Sequence, residues 1–258
     1  MRRVRRLVLV VAGASLLLAA CGGSGSTSAG SSTTTSSGSS ASTGTSGASN
    51  RAADKAASSA AVLKLSDFPS GWTSTPRSSN TSVPAVDKQL AQCLHVSVSL
   101  LDSSDPSNVD SPDFNGPNNA TVDDSVSFAA NQGQAQQAFT VLSEPQAPQC
   151  LSTALNSYVQ YSIAHPTSSS DTLPAGTTFG QVTAASLSFP TIGDKSVAYR
   201  VTIPVTAEGQ QIAIYVDFIV SGKGRAGSIL TGESVNTTPD TSLEQQLQSA
   251  VIGRISAA

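Results

Sequence analysis

The residues that could support catalysis are few, and their spacing matches no known catalytic site. His95 and His165 are the only histidines among 258 residues. There is no H-E-x-x-H zinc motif and no G-x-S-x-G serine elbow. Residues 222–227 spell G-x-G-x-x-G, but that motif binds dinucleotides between a parallel strand and a helix, and here a strand follows it. We interpret this segment as a glycine-rich turn and expect a non-enzyme without a cofactor. A hydrolase with scattered catalytic groups is the less favoured alternative.

An acidic stretch carries the hard oxygen ligands that calcium prefers. Its candidate ligands are Asp102, Asp105, Asp110, Asp113, Asn115, Asn118 and Asn119. Their spacing matches no EF-hand loop. We therefore interpret the stretch as a solvated acidic loop and assign no metal site, although the sequence leaves calcium binding by this loop open.

A possible polar binding cluster is predicted on a β-hairpin. Residues 197–205 and 212–220 alternate apolar and polar side chains on either side of a Glu-Gly turn, which is typical of two antiparallel strands. A two-residue turn places Arg200 directly opposite Asp217. Together with Arg225, they could line a pocket for an anionic ligand or form part of a partner surface. A simple cross-strand ion pair is the alternative interpretation.

The elements that must position these residues form an α+β domain. We predict a single domain with an antiparallel sheet of about four to five strands, three to four helices and one disulfide. Trp72, the only tryptophan, follows a turn and is predicted to anchor the core. Besides the hairpin, the predicted elements are helices at 84–95, 132–142, 150–164 and 243–255 and strands at 122–128 and 225–235.

The N-terminus has the three parts of a secretory signal in order. A basic stretch at 1–6 precedes an apolar run at 7–18 that is too short for a permanent membrane span. Leu18-Ala19-Ala20-Cys21 then resembles the lipobox of bacterial lipoproteins. That resemblance implies a signal peptide at 1–20, lipid (palmitate) attachment at Cys21, and a membrane-anchored protein on the extracytoplasmic face of the cell membrane.

A flexible tether is predicted between the lipid and the domain. Residues 22–50 are almost entirely Ser, Gly, Thr and Ala, without charge or large apolar groups, so they cannot form a core. Residues 51–61 are Ala-rich and are predicted to form at most a transient helix that packs on nothing. We therefore divide the chain into the signal peptide, the lipidated cysteine and tether at 21–61, and a globular extracytoplasmic domain at 62–258.

The charge balance of the mature chain is acidic. The chain has 14 basic and 17 acidic residues, and four arginines leave with the signal, so the mature protein has 10 against 17, a net charge of −7. Nucleic-acid binding requires a basic surface that neutralises phosphates. Nucleic acid is therefore excluded as an expected partner.

The two remaining cysteines are predicted to form a disulfide. With Cys21 acylated, Cys93 and Cys150 are an even pair in an oxidising compartment. A bridge between them closes a long loop and stabilises the folded state by restricting the unfolded chain.

The order of these signals resembles a group of uncharacterised actinobacterial lipoproteins and, more distantly, the extracellular sensor domains of mycobacterial serine/threonine kinases. The second cysteine pair that such sensor domains often have is missing. The resemblance implies ligand or partner binding outside the cell and names no catalytic residue. We expect a sensor-like binding module, and alternatively a carrier of an apolar envelope molecule. The residues that carry the resemblance are Leu65-Ser66-Asp67-Phe68-Pro69-Ser70-Gly71-Trp72, Ser125-Val126-Ser127-Phe128, Ala135, Phe139, Cys150-Leu151 and Tyr215-Val216-Asp217.

Overall fold

The computed structural model describes residues 51–77, 84–101, 107–164 and 176–255. The predicted signal peptide, Cys21, the tether up to residue 50 and His165 lie outside the described residues. Their roles stay predictions.

Five α-helices and nine β-strands occur in these ranges. The helices are α1 (Arg51–Ala61), α2 (Pro84–Cys93), α3 (Gln132–Leu142), α4 (Ala147–Ala164) and α5 (Thr241–Ile255). The strands are β1 (Thr73–Thr75), β2 (Val109–Asp110), β3 (Asp113–Asn115), β4 (Thr121–Phe128), β5 (Thr178–Phe179), β6 (Thr183–Ser186), β7 (Lys195–Ala207), β8 (Gln210–Lys223) and β9 (Ala226–Val235).

All the described strands join one antiparallel sheet in the order β1-β3-β4-β9-β8-β7-β5, with β2 also paired to β4 and β6 to β7. The α+β class is confirmed, but the prediction of four to five strands was too small. The four strands that the sequence predicted, β4, β7, β8 and β9, are the long ones, with 8 to 14 residues each. The five additional strands have two to four residues each, too few for a period of two to be recognised.

The predicted hairpin register is confirmed residue by residue. Tyr199 faces Phe218 and Arg200 faces Asp217 across β7 and β8. The turn between these strands consists of Glu208 (φ 52°) and Gly209 (φ 75°). Two successive residues with positive φ form the turn type whose twist matches that of a hairpin. The glycine-rich segment is also a turn, since it connects β8 to β9.

Helices cover both faces of the sheet, and the two largest apolar cores lie on opposite faces. On one face, α2, α3 and α4 pack against the apolar side of the β7–β8 hairpin. On the other face, α5 and the end of α1 pack against β4, β8 and β9. Alternate residues of each central strand therefore enter different cores. This arrangement explains why almost every residue of β8 beyond Ile214 is buried.

Helix α1 packs against the folded domain, although the sequence suggested that residues 51–61 would pack on nothing. Asp54 is buried on this helix, and its carboxylate accepts hydrogen bonds from Arg225 at 2.6 and 3.3 Å. The helix packs on β4 and on α5. Its apolar residues are mostly alanines, so the sequence gives little sign of packing. The ion pair and a close helix–sheet approach hold it in place.

The predicted disulfide is present between Cys93 and Cys150 and joins the end of α2 to α4. It closes a loop with a sequence separation of 57 residues. We expect the double variant Cys93→Ser/Cys150→Ser to be less stable by about 3 kcal/mol, because the reduced unfolded chain gains conformational freedom. Urea unfolding followed by circular dichroism would measure the difference. Equal unfolding midpoints for the variant and the oxidised protein would contradict this prediction.

Candidate functional site

The two edges of the sheet differ in how well they are covered. Near β6, side chains of α4 hydrogen-bond to the backbone of the sheet edge. Ser152 Oγ accepts from Ala184 N–H at 2.7 Å. The Asn156 side chain donates to Val182 O and accepts from Val182 N–H, each at 2.9 Å. Such contacts block the addition of another strand. At β2, no strand of the described ranges pairs on the outer side. The open edge is therefore the one near β2.

A β-bulge interrupts this open edge. The register of β2 against β4 differs by one residue from that of β3 against β4. The extra residue lies at Ser111-Pro112, where Ser111 N–H donates to Asp124 O at 2.8 Å and Ser111 Oγ accepts from Asp124 N–H at 2.9 Å. Proline cannot donate to a ladder, and bulges at sheet edges frequently adjoin functional sites. The bulge ends regular pairing at this point.

A groove of about 480 Å³ lies between the bulge and α1, and we call it the edge groove. Its volume is within the range of roughly 300–1,000 Å³ that is typical of small-molecule sites. The lining combines both charges, neutral hydrogen-bonding groups and two apolar side chains. Its residues are Lys55, Ser59, Arg77, Asn108, Val109, Asp110, Ser111 and Pro112.

Arg77 is the buried cation of the edge groove, with a side chain only 9% exposed. Its Nη1 lies 3.0 Å from Asp123 Oδ1 and 3.7 Å from Asp110 Oδ1. Burial alone would lower the pKa of Arg77, but the surrounding carboxylates, Asp123 and Asp110 first among them, together outweigh burial and raise it. Asp110 keeps 42% of its side chain exposed, so it presents negative charge to a ligand. Lys55 supplies an exposed positive charge on the facing helix.

Two adjacent carboxyl groups of β4 lie behind this groove. Burial raises the pKa of Asp123 to about 7, against the opposing effect of Arg77. Burial also raises the pKa of Asp124 to about 7, although its carboxylate accepts a hydrogen bond of 2.9 Å from Leu63 N–H. Consecutive aspartates inside a strand are unfavourable for β-structure. The two consecutive aspartates in the sequence could have indicated a polar site at this edge, but they were not identified as such from the sequence.

Arg200 and Asp217 form the ion pair that their register predicts. Arg200 Nε donates to Asp217 Oδ1 at 2.7 Å, and Arg200 Nη2 donates to Oδ2 at 2.5 Å. Asp217 is fully buried, while 22% of the Arg200 side chain is exposed. The hydrogen bonds to Asp217 raise the pKa of Arg200. Both oxygens of the carboxylate are thus occupied by one guanidinium group.

A third residue, Glu244, joins this pair from α5. Its carboxyl group lies directly over Gly232, which faces Asp217 in the β8–β9 ladder. Burial, followed by the neighbouring Asp217, raises the pKa of Glu244 well above its ordinary value. The helical spacing of Glu244 with Leu247 and Val251 places it on the buried side of α5. That spacing was the signal that could have identified it.

Arg225 does not belong to this group. It lies in the β8–β9 turn, where its guanidinium donates to Asp54 and, at 2.6 Å, to Ala129 O. Its charge also lies 5.5 Å from the centre of the Phe128 ring. The structure therefore brings Arg200 and Asp217 together and leaves Arg225 with α1.

The other candidate residues are dispersed. His95 is exposed just after α2, and Asp110 and Asp113 belong to short strands, while Asp102 and Asp105 lie outside the described residues. Within the described ranges, no three His, Cys, Asp or Glu side chains converge as a metal site would require. No helix in that part of the chain has the length and hydrophobicity needed to span a bilayer.

An apolar cavity lies between the hairpin and α2, α3 and α4, with a volume of about 20 Å³. This space holds about one water molecule, far less than a lipid chain requires. Its walls include Leu90 on α2 and Leu151 on α4, two helices that the Cys93–Cys150 bridge connects. Enlarging this cavity to admit an apolar ligand would therefore require the separation of helices that are covalently linked.

Comparison with known proteins gives distant structural similarity. No protein family matches the chain, and no curated protein does. Among solved structures, the extracellular domain of PknH from Mycobacterium tuberculosis has 12% sequence identity and a TM-score of 0.40, covering 79% of this chain and 97% of that domain. LpqN, a protein of the same bacterium involved in cell envelope biogenesis, has 13% identity and a TM-score of 0.24, with coverages of 72% and 76%. The expected distant similarity to a mycobacterial kinase sensor domain is confirmed.

Proposed function

We propose that this protein is a non-enzymatic binding module, displayed on the extracytoplasmic face of the membrane, that receives a polar ligand or a polar segment of a partner in the edge groove. The observation that carries the proposal is the groove of about 480 Å³ at the open edge of the sheet. It has the size of a small-molecule site, whereas the apolar cavity has not.

The chemistry of the groove favours a ligand with charged and hydrogen-bonding groups. Lys55 and Asp110 present opposite charges on its two walls, and Arg77 lies between the buried carboxylate of Asp123 and the partly exposed carboxylate of Asp110. Asn108 Nδ2 donates to Asp110 Oδ1 at 3.3 Å, which orients the carboxylate. A ligand that carries both an anionic and a cationic group, such as a peptide segment, would complement these walls.

The proposed compartment has separate support. The disulfide between Cys93 and Cys150 is of the kind that persists in oxidising environments. The lipobox at Cys21 would anchor the chain, and the tether would hold the groove roughly 30 Å from the headgroups, given the reach of a flexible Ser/Gly chain of this length.

Site-specific photocrosslinking in intact cells would test the groove as the binding site. A photoreactive residue replaces Ser59 in the groove or, as the matched control, Ser249 on the exposed side of α5 in the full exported chain. We expect a discrete adduct from position 59 and none from position 249, since only the first side chain lies against the ligand. Mass spectrometry of the adduct would then identify the bound molecule.

Reversing the charge of a lysine in the edge groove provides a second test of the same binding site. Lys55→Glu should reduce the yield of the position-59 adduct about fivefold, the effect of losing about 1 kcal/mol of binding energy. Lys88→Glu, an equally exposed lysine on α2, should leave the yield unchanged. The absence of any adduct at position 59, or equal effects of both reversals, would refute binding in the edge groove.

A further inference from the structure

Glu244 lies in a part of the molecule that offers an ionised carboxylate no support. Only 1% of the residue is exposed, and neither carboxyl oxygen has a hydrogen-bond donor in the part of the chain that the structure describes. Among the described residues, Arg200 is the cation that acts on Glu244, and both of its contacting nitrogens bind Asp217. A buried carboxylate without a donor or counterion is strongly destabilised, so the group keeps its proton.

The protonated form of Glu244 has a suitable acceptor. Its carboxyl group lies over Gly232, the ladder neighbour of Asp217, and Gly232 has no side chain to separate the two carboxyl groups. A protonated Glu244 can therefore donate its O–H to the Asp217 carboxylate while Arg200 continues to neutralise that carboxylate. One proton and one guanidinium then balance the two acids.

The groups that face Glu244 reinforce this arrangement. Asp217 on β8 and Asp240, just before α5, both oppose a negative charge at Glu244, and Arg200 on β7 favours it. The adjacent residue Glu233 on β9 points to the opposite face of the sheet. Helix α1 contacts the other end of α5, where Arg254 donates to Ala61 O at 2.9 Å. Asp54, the buried acidic residue of α1, pairs with Arg225.

We propose that Glu244 keeps its proton at neutral pH and donates it in a hydrogen bond to the Asp217 carboxylate, that this bond holds the first half of α5 against the sheet, and that loss of the proton at higher pH releases the helix. On deprotonation, the Glu244 O–H bond breaks, the proton passes to solvent, and two buried anions remain beside one arginine. Their repulsion favours an opened helix in which water reaches Glu244. The α5 helix thereby acts as a pH-sensitive latch on the domain.

Hydrogen–deuterium exchange tests the latch in the full-length exported protein. The measured quantity is the exchange of α5 amides divided by that of α4 amides at the same pH, which cancels the chemical effect of pH on exchange. In the wild-type protein, this ratio should rise by up to about tenfold per pH unit from the ordinary titration range of a glutamate upward, and it should level off once the folded protein has lost the Glu244 proton. Glu208→Gln, a change at an exposed glutamate, should behave as the wild type does.

Glu244→Gln is the decisive variant, because its amide can donate to Asp217 and cannot ionise. We expect the rise of the exchange ratio with pH to disappear in this variant. An unchanged rise would overturn the proposal. A second measurement uses the wild-type protein and therefore does not depend on whether the variant folds. The side-chain carboxyl ¹³C resonance of Glu244 should titrate far above the range of an ordinary glutamate. Titration in the ordinary range would equally overturn it.

Discussion

Arg200→Leu is expected to lower the free energy of unfolding by about 3–5 kcal/mol, because it leaves Asp217 buried, ionised and without its counterion. Asp217 is fully buried and accepts hydrogen bonds from this arginine on both oxygens. For a domain of this size, the melting temperature should fall by about 10 °C. Thermal unfolding at pH 7, followed by circular dichroism, measures the change.

Two further variants separate the ion pair from a general loss of charge. Lys195→Leu removes an exposed cation from the same strand and should change stability by less than about 0.5 kcal/mol. Adding Asp217→Asn to Arg200→Leu removes the uncompensated charge, so the double variant should regain at least half of the lost stability. If Arg200→Leu cost no more than Lys195→Leu, Asp217 would not be buried as described.

Raising the pH from 5 to 8 is expected to destabilise the domain by on the order of 5 kcal/mol. Asp123 and Asp124 each have a pKa of about 7 in the folded state, because burial opposes ionisation. In the unfolded chain, both ionise near pH 4. The folded state therefore binds more protons between these values, so stability decreases as the pH rises, and the contribution of these two groups levels off above their folded pKa. The melting temperature should fall by about 10 °C or more.

Differential scanning calorimetry from pH 4.5 to 8.5 would measure this trend. Asp124→Asn keeps an acceptor for Leu63 N–H, cannot ionise, and should flatten the slope by roughly a third between pH 5 and 7, because Asp123 and Glu244 also hold protons there in the folded state. Asp194→Asn, at an exposed position, should leave the slope unchanged. Stability that increases from pH 5 to 8 would contradict the assignment of raised pKa values to these carboxyl groups.

The opposite trend is expected in stronger acid. Burial raises the pKa of Asp67, but the hydrogen bonds and charge of Arg254 and the N–H of Lys64 outweigh burial and leave this pKa below its ordinary value. The contribution of Asp67 is present above the unfolded pKa and is lost as the pH falls through the folded one. Maximum stability should therefore lie on the mildly acidic side of neutrality.

Sequence patterns that extend over many residues determined much of the fold. The hairpin register followed from two features, the alternation over 197–205 and 212–220 and the Glu-Gly turn between them. A shift by one residue would exchange the two faces of each strand. The pairing of Arg200 with Asp217 followed directly from that register. The even cysteine pair and the bounds of α3 were determined in the same way, from local composition and spacing.

Tertiary structure alone decided the position of the edge groove and the composition of the buried polar groups. Helix α1 carries little apolar surface, so its docking depends on an ion pair between Asp54 and Arg225, which are far apart in sequence. The groove exists only because that helix stands beside a bulged edge strand. Glu244 likewise meets Asp217 only after α5 packs over Gly232. Local patterns encode the direction in which a side chain points, whereas its partners depend on long-range packing.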